Sequence, residues 1–259
     1  MFKTRRKLLS QNFLKDNELV KQLIRSSGIL WNDIVLEIGA GPGVITKNLL
    51  SVSKKVIAVE IDKNLFSLLS SRLGNNPSLK TVCGNFLDVE LPKEPYKVFS
   101  NIPFSITGEI IKKLLFSDNP PDSCSFVIQK EAAEKFMVNK KKNSMLSILF
   151  YPWFEFKVVH AFRRTDFVPV PSVDMCLLQI TKRRTMFVSS ADLCKYRDFI
   201  VFKFTKSREV GNWPPTKWLV SYTKDTHSRG YFAKWQKQQE KIQKIHRTRT
   251  DRNWVKYRR

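Results

Sequence analysis

A chain of 259 residues with 42% hydrophobic content can hold one sizeable core and a smaller appendage, which excludes disorder throughout. Its 46 Lys and Arg against 23 acidic residues leave a formal charge of +23, and such a surplus repels itself unless a polyanion is the usual partner, nucleic acid first among them. Without a long apolar span, or a basic start followed by an apolar signal core, a membrane is excluded as that polyanion and the chain reads as soluble and cytoplasmic.

The segment Met1 to Ser10 carries Lys3, Arg5, Arg6 and Lys7 and reads as a flexible basic arm, solvated or in contact with nucleic acid. After Gln11-Asn12-Phe13-Leu14, Asp16 is the N-cap of a predicted helix with Leu19, Val20, Leu23 and Ile24 at helical spacing, ending at Gly28. The pattern then switches to a short buried strand, Ile34 to Ile38, followed by Gly39-Ala40-Gly41-Pro42-Gly43 and a helix beginning near Val44. Glycines so spaced let the backbone turn sharply and approach a ligand at a helix N-terminus. A second strand, Val56 to Val59, ends in Glu60-Ile61-Asp62, about 20 residues past the glycines, the spacing that places a carboxylate on a ribose. Dinucleotide folds want Gly-x-Gly-x-x-Gly, whereas these glycines run Gly-x-Gly-x-Gly with Glu37 just before them. That pattern resembles the S-adenosylmethionine-dependent methyltransferases, whose cofactor has no pyrophosphate to cradle.

A helix with Leu65, Phe66, Leu68, Leu69 and Leu73 is stopped by Gly74, and a strand near Leu79 to Cys83 leads to Gly84-Asn85-Phe86. The fourth strand, Lys97 to Ser100, delivers Asn101 at its carboxyl end. In open α/β sheets that edge is where ligands bind, so the glycine turn, Glu60, Asn85 and Asn101 are expected on one rim. The stretch Asn101-Ile102-Pro103-Phe104 suits a flipped adenine there. An exocyclic amino group needs acceptors for two hydrogens, which an Asn oxygen and a neighbouring carbonyl supply. The proline stiffens the turn, and the aromatic ring lies against the base.

Helical spacing returns from Ile106 to Leu115, then a strand at Ser125 to Gln129 and a helix over Lys130 to Val138. Lys140, Lys141, Lys142 and Asn143 are read as a basic loop for RNA contact. Strands at Trp153 to Val159 and Met175 to Ile180 flank a loop stiffened by Pro169 and Pro171. Beyond Thr181 the chain holds about 21 Lys and Arg against about 6 acidic residues, with apolar pattern confined to short helical pieces. The run His246 to Arg259, with Trp254 and Tyr257 among arginines, suits phosphate contact and base stacking, as an ordered element or as a tail that orders on RNA. Cys83, Cys124, Cys176 and Cys194 show neither a Cys-x-x-Cys pair nor a His at ligand spacing, so no metal site is expected. Three of them sit in apolar runs and are read as buried structural thiols.

Taken together, Gln11-Asn12-Phe13, Glu37-Ile38-Gly39-Ala40-Gly41-Pro42-Gly43, Asn101-Ile102-Pro103-Phe104 and Phe167-Val168-Pro169-Val170-Pro171-Ser172-Val173-Asp174 resemble the rRNA adenine N6-dimethyltransferase family over roughly residues 8 to 182. The resemblance implies a Rossmann-like α/β domain with a mostly parallel seven-stranded sheet over residues 1–182, and a small, basic helical RNA-binding domain over 183–259. It implies S-adenosyl-L-methionine as cofactor, ribosomal RNA as partner, and a monomer. By the family pattern Asn12, Leu14, Gly39, Gly41, Glu60, Ile61, Asn85, Phe86 and Asn101 serve the cofactor, and Asn101, Ile102, Phe104 and Phe167 the target base. Phe104 and the Arg-rich end resemble the erythromycin-resistance branch, which modifies an adenine of 23S rRNA in the peptidyl-transferase loop; the housekeeping branch, which modifies 16S rRNA, usually has Tyr at that place. A non-catalytic nucleic-acid-binding factor of the same fold is the reading from another class, against which the intact Asn101 to Phe104 and glycine turn speak. One departure stands out: Asn85 occupies a position where the family usually has Asp. Its amide oxygen still accepts a hydrogen bond but without charge assistance, so cofactor binding is expected to be somewhat weaker.

Overall fold

The computed structural model describes residues 12–139, 142–207, 209–225 and 228–256, the side chains at 243 and 245–256 excepted. The chain divides into two compact units, residues 1–137 with 154–184 and residues 138–153 with 185–259. One break between the units follows Arg184. The excursion 138–153, which the chain-order reading leaves in the first domain, clusters with the second unit.

In the first unit β1 (Phe13–Leu14) is followed by α1 (Asn17–Ser26), whose start is fixed by Asp16: its Oδ1 accepts from the amides of Glu18 at 2.8 Å and Leu19 at 3.4 Å. Val20, Leu23 and Ile24 form the buried face. The alternation then runs β2 (Ile34–Ile38), α2 (Val44–Leu50), β3 (Lys55–Glu60), α3 (Lys63–Leu73), β4 (Leu79–Cys83), β5 (Lys97–Asn101), α4 (Thr107–Leu115) and β6 (Ser123–Gln129). A short α5 (Lys130–Glu134) ends four residues before the helix expected from spacing. There Phe136 turns into the core and stacks on Phe156 at 6.0 Å. After the excursion come β7 (Phe154–Ala161), β8 (Phe167–Val168) and β9 (Met175–Lys182).

Seven strands form one sheet in the order β4-β3-β2-β5-β6-β9-β7. All neighbours pair in parallel except those of β9, which runs antiparallel to β6 and to β7. This is the Rossmann-like, mostly parallel sheet expected. Central β2 is buried at all five positions, apolar but for Glu37, as suits a strand covered on both faces. The order reverses between β2 and β5, and their ladder holds only the pairs Val35 with Lys97 and Leu36 with Val98. A separate two-stranded ribbon, unforeseen in the spacing, pairs β1 with β8 antiparallel, Phe13 against Val168 and Leu14 against Phe167.

The second unit contains α6 (Met145–Phe150), α7 (Leu193–Lys206), α8 (Pro215–Thr223) and α9 (Tyr231–Lys256). Helix α6 is apolar nearly all round, as suits a buried segment; Ser144 caps it by accepting from Ser147, and the Tyr196 hydroxyl donates to the Ile148 carbonyl at 3.0 Å. Trp218 is fully buried, stacked on Phe204 at 5.1 Å and met edge-on by Phe199 at 6.1 Å. Helix α9 continues to Lys256, so much of the Arg-rich run has helical backbone.

Several expectations change. Asn143, read as part of a basic surface loop, is buried: its Oδ1 accepts from the Asn139 amide at 2.7 Å and its Nδ2 donates to the Trp213 carbonyl at 3.1 Å. Lys142 is exposed, and Lys140 and Lys141 lie outside the described residues, as do the basic arm and Gln11. Cys124 and Cys176 are buried thiols, whereas Cys83 and Cys194 are exposed. Asn143→Ala should lower stability by about 1–3 kcal/mol, because backbone groups lose their partners. Urea unfolding measures this, and a loss under about 0.5 kcal/mol, the usual size of a surface change, would mean the loop is held by other contacts.

Candidate active site

The carboxyl ends of β2, β3, β4 and β5 carry the glycine turn, Glu60, Asn85 and Asn101, as parallel pairing requires. Past Leu36 and Val98 the strands β2 and β5 leave their ladder, and the Ile38 amide donates to the Ser100 Oγ at 2.6 Å. Strands that separate at a reversal of strand order open a crevice beyond their carboxyl ends. Gly39 (φ +74°) and Gly41 (φ +57°) turn the chain beside it in the left-handed region. A Cβ at Gly39 would lie 3.8 Å from the Asn101 carbonyl oxygen and 3.7 Å from Pro103 Cδ, so the two loops face each other at contact distance. A Cβ at Gly41 would sit 2.8 Å from Phe13 Cε1, too close for any side chain without displacement of the ring.

Each polar group is oriented by backbone. Asn101 Nδ2 donates to the Asn12 carbonyl at 2.5 Å, which leaves Oδ1 as the half of the amide open to an incoming donor. Ile102 is buried and anchors the peptide after Asn101, while Phe104 is half-buried against the core. Glu60 accepts from the Gly41 amide through Oε2 at 2.8 Å and from the Asp62 amide through Oε1 at 2.7 Å. Burial raises its carboxyl above the ordinary range. Ile61, next to it, is exposed. Asn85 caps the 3₁₀ turn Phe86–Asp88, its Oδ1 accepting from the Leu87 amide at 3.0 Å.

Four expected site residues are mainly core here: Leu14, Phe86, Ile102 and Phe167. The Phe167 ring has no solvent-exposed surface and meets Phe162 edge-on at 5.2 Å. Phe104 is therefore the aromatic ring of the predicted pair with free area. Spacing alone missed Ser100, Phe13 and Lys113. Lys113 donates to the carbonyls of Phe86 at 3.0 Å and Leu87 at 2.9 Å and lies 5.0 Å from the Phe86 ring centroid, clamping the turn that carries Asn85. Nothing in the sequence separates it from Lys112, whereas Ser100 had a signal, a hydroxyl inside a buried strand.

Glu37, just before the turn, is not a rim carboxylate. It is fully buried, accepts from Thr46 Oγ1 at 2.6 Å, and is pushed up to about 8, first by desolvation and then by nearby Glu60. It therefore carries a proton at neutral pH. Among the described residues no cluster of three or more His, Cys, Asp or Glu could hold a metal, and no helix is long and apolar enough to cross a membrane.

A family profile described as "Ribosomal RNA adenine dimethylase" matches residues 1–210. The chain is 32% identical over 201 residues to an rRNA methyltransferase of Streptomyces thermotolerans, covering 78% of this chain and 67% of that protein. It is also 32% identical over 207 residues to the ribosomal RNA small subunit methyltransferase A of Thermotoga petrophila, covering 79% and 77%. Among solved structures it resembles 23S rRNA methyltransferase ErmE, with a TM-score of 0.68 and 27% identity over 77% of this chain and 82% of that one.

The weakened acidity of Glu37 has a testable sign. The unfolded carboxyl loses its proton near 4.5 and the folded one near 8, so the folded state binds more protons between them and stability falls as pH rises through that window. Glu37→Gln should flatten this decline, leaving the variant at least as stable as the parent at pH 8. Denaturant midpoints at pH 5 and pH 8 decide it: a variant that declines as steeply as the parent would place the ionisation elsewhere.

Proposed function

The chain belongs to the ribosomal RNA adenine dimethylase family, and from that premise we propose that it methylates one adenine of 23S rRNA in the peptidyl-transferase loop and so confers resistance to macrolide, lincosamide and streptogramin B antibiotics. The enzyme class itself is plain: an S-adenosylmethionine-dependent rRNA adenine-N6 methyltransferase. What supports the finer reading is Phe104 in place of Tyr, the Arg-rich end, and the likeness to ErmE. The alternative, 16S rRNA modification during ribosome biogenesis, draws on the likeness to the Thermotoga protein. Either substrate puts the enzyme in the cytoplasm.

The rim suits the cofactor. Gly39 and Gly41 turn the chain in the left-handed region, Glu60 keeps acceptor capacity for ribose hydroxyls, and exposed Ile61 offers an apolar face to an adenine. Asn12, Leu14, Asn85, Phe86 and Asn101 complete the proposed set. The bound cofactor supplies an electrophilic methyl group on a sulfonium.

The observation that carries the mechanism is the Asn101 amide, whose Nδ2 is fixed by the Asn12 carbonyl so that Oδ1 remains as its acceptor. The lone pair of an adenine N6 is delocalised into the ring, so the protein's task is to localise it. Asn101 Oδ1 and the Ile102 carbonyl accept the two amino hydrogens and favour a pyramidal nitrogen. Phe104 holds the base by one face. Phe167 acts from beneath, through the wall that it and Phe162 form, and reaches the base itself if its strand pair yields on binding. No general base is required, because the cationic product nitrogen is acidic and releases its proton to water.

Asn101→Ala should reduce turnover at least 100-fold while rRNA affinity changes little, a split between binding and chemistry. Single-turnover methyl transfer with filter-binding measures both, and unchanged turnover removes this mechanism. The target is read by expressing the chain in a macrolide-sensitive bacterium and mapping reverse-transcriptase stops on both rRNAs. A new stop in 23S rRNA with acquired resistance is expected; a stop confined to 16S rRNA transfers the chain to the alternative.

A further inference from the structure

The amino-terminal edge of the sheet, opposite the rim, presents an unusual group. Between α1 and β2 the loop Gly28 to Asp33 exposes Leu30 at 58% and Trp31 at 80%, a pair of large apolar side chains side by side in water. The loop holds them there by its own bonds. Ile29 is buried beneath, the Leu30 amide donates to Asp33 Oδ2 at 2.6 Å, and the Asp33 amide donates back to the Leu30 carbonyl at 3.0 Å. Lys97 Nζ then joins Asp33 Oδ2 at 2.7 Å and the Gly28 carbonyl at 2.6 Å. The single carboxylate of the loop is thus neutralised.

Cationic residues flank the loop. The amides of Lys54 and Lys55 donate to the Asp33 carbonyl at 3.0 and 3.3 Å, which sets both residues, exposed, at the start of β3 beside the loop. Arg25, exposed in the last turn of α1, lies three residues before Gly28. An exposed indole with exposed cations along the same edge is the composition of a single-strand RNA platform, with a base on the ring and phosphates on the lysines.

We propose that this edge is a second RNA-binding surface, on which Trp31 stacks an unpaired base of the substrate rRNA while Lys54, Lys55 and Arg25 meet flanking phosphates. The proposal rests on the rRNA reading above and adds a place to it. Strand β2, at about 3.3 Å per residue, sets this surface roughly 17 Å from the glycine turn, so a short stem-loop seated on the rim does not reach it and a longer rRNA segment passing over the sheet edge does.

The test uses the full chain, a short stem-loop holding the mapped target adenine, and a transcript of the surrounding rRNA domain. Trp31→Ala is expected to weaken the long transcript about 10-fold with the salt slope unchanged, since stacking releases no counterion. A double change of Lys54→Gln and Lys55→Gln should lower the slope by about 1 to 2. Both variants should bind and methylate the stem-loop as the parent does, and Trp31→Phe should keep most of the affinity. Equal affinity of Trp31→Ala and parent for the long transcript overturns the proposal and leaves the enzyme reading intact, as does an effect seen only on ribonucleoprotein particles, which assigns the edge to a protein partner. A parent chain that neither binds nor methylates either transcript removes the rRNA reading and this surface together.

Discussion

The rim proposed as the active site depends on one hydrogen bond, from the Ile38 amide to the Ser100 hydroxyl. Two neighbouring parallel strands normally continue their ladder to the end, and a buried amide left without an acceptor costs about 1–3 kcal/mol. By accepting that amide, Ser100 lets β2 and β5 part after Leu36 and Val98 with no orphaned donor. The space gained is where the glycine turn faces Asn101 and Pro103, and a side chain at Gly39 would strain the left-handed backbone there.

Around this opening the polar groups are set before any ligand arrives. Glu60 is tied to the amides of Gly41 and Asp62, Asn101 to the carbonyl of Asn12, and the turn after Asn85 to Lys113 of α4. Preorganised groups of this kind need no reorganisation during the reaction, which is where much of an enzyme's electrostatic advantage lies. The ribbon of β1 and β8 ties in two distant segments, bringing Asn12 and Phe13 to the glycine turn and holding Phe167 against Phe162. Glu37 completes the arrangement: buried beneath the turn and held by Thr46, its carboxyl is pushed up to about 8, so it favours its neutral form beside Glu60.

Much of this was legible in the sequence, because local rules govern it. Apolar runs at β2, β3 and β5, the Asp16 cap and the helical spacing of α1, α3 and α4 place those elements within a residue or two. Pattern failed where burial came from far away. The helix after Lys130 stops short because Phe136 finds Phe156, and Asn143 with α6 is claimed by residues some 50 to 70 positions on, which periodicity cannot register.

Sequence by itself determined the fold class, the family and the rim: glycine spacing, the acid at Glu60 and the Asn101 to Phe104 stretch are contiguous motifs whose place at strand ends follows from the parallel alternation. Tertiary structure alone decided the state of those groups. That Glu37 is a neutral wall residue, that Phe167 is covered while Phe104 is half free, and that the Asn101 amide is turned by the Asn12 carbonyl are consequences of burial and of partners up to 89 positions away. Desolvation and hydrogen-bond direction are properties of a packed environment, and a linear pattern does not contain them.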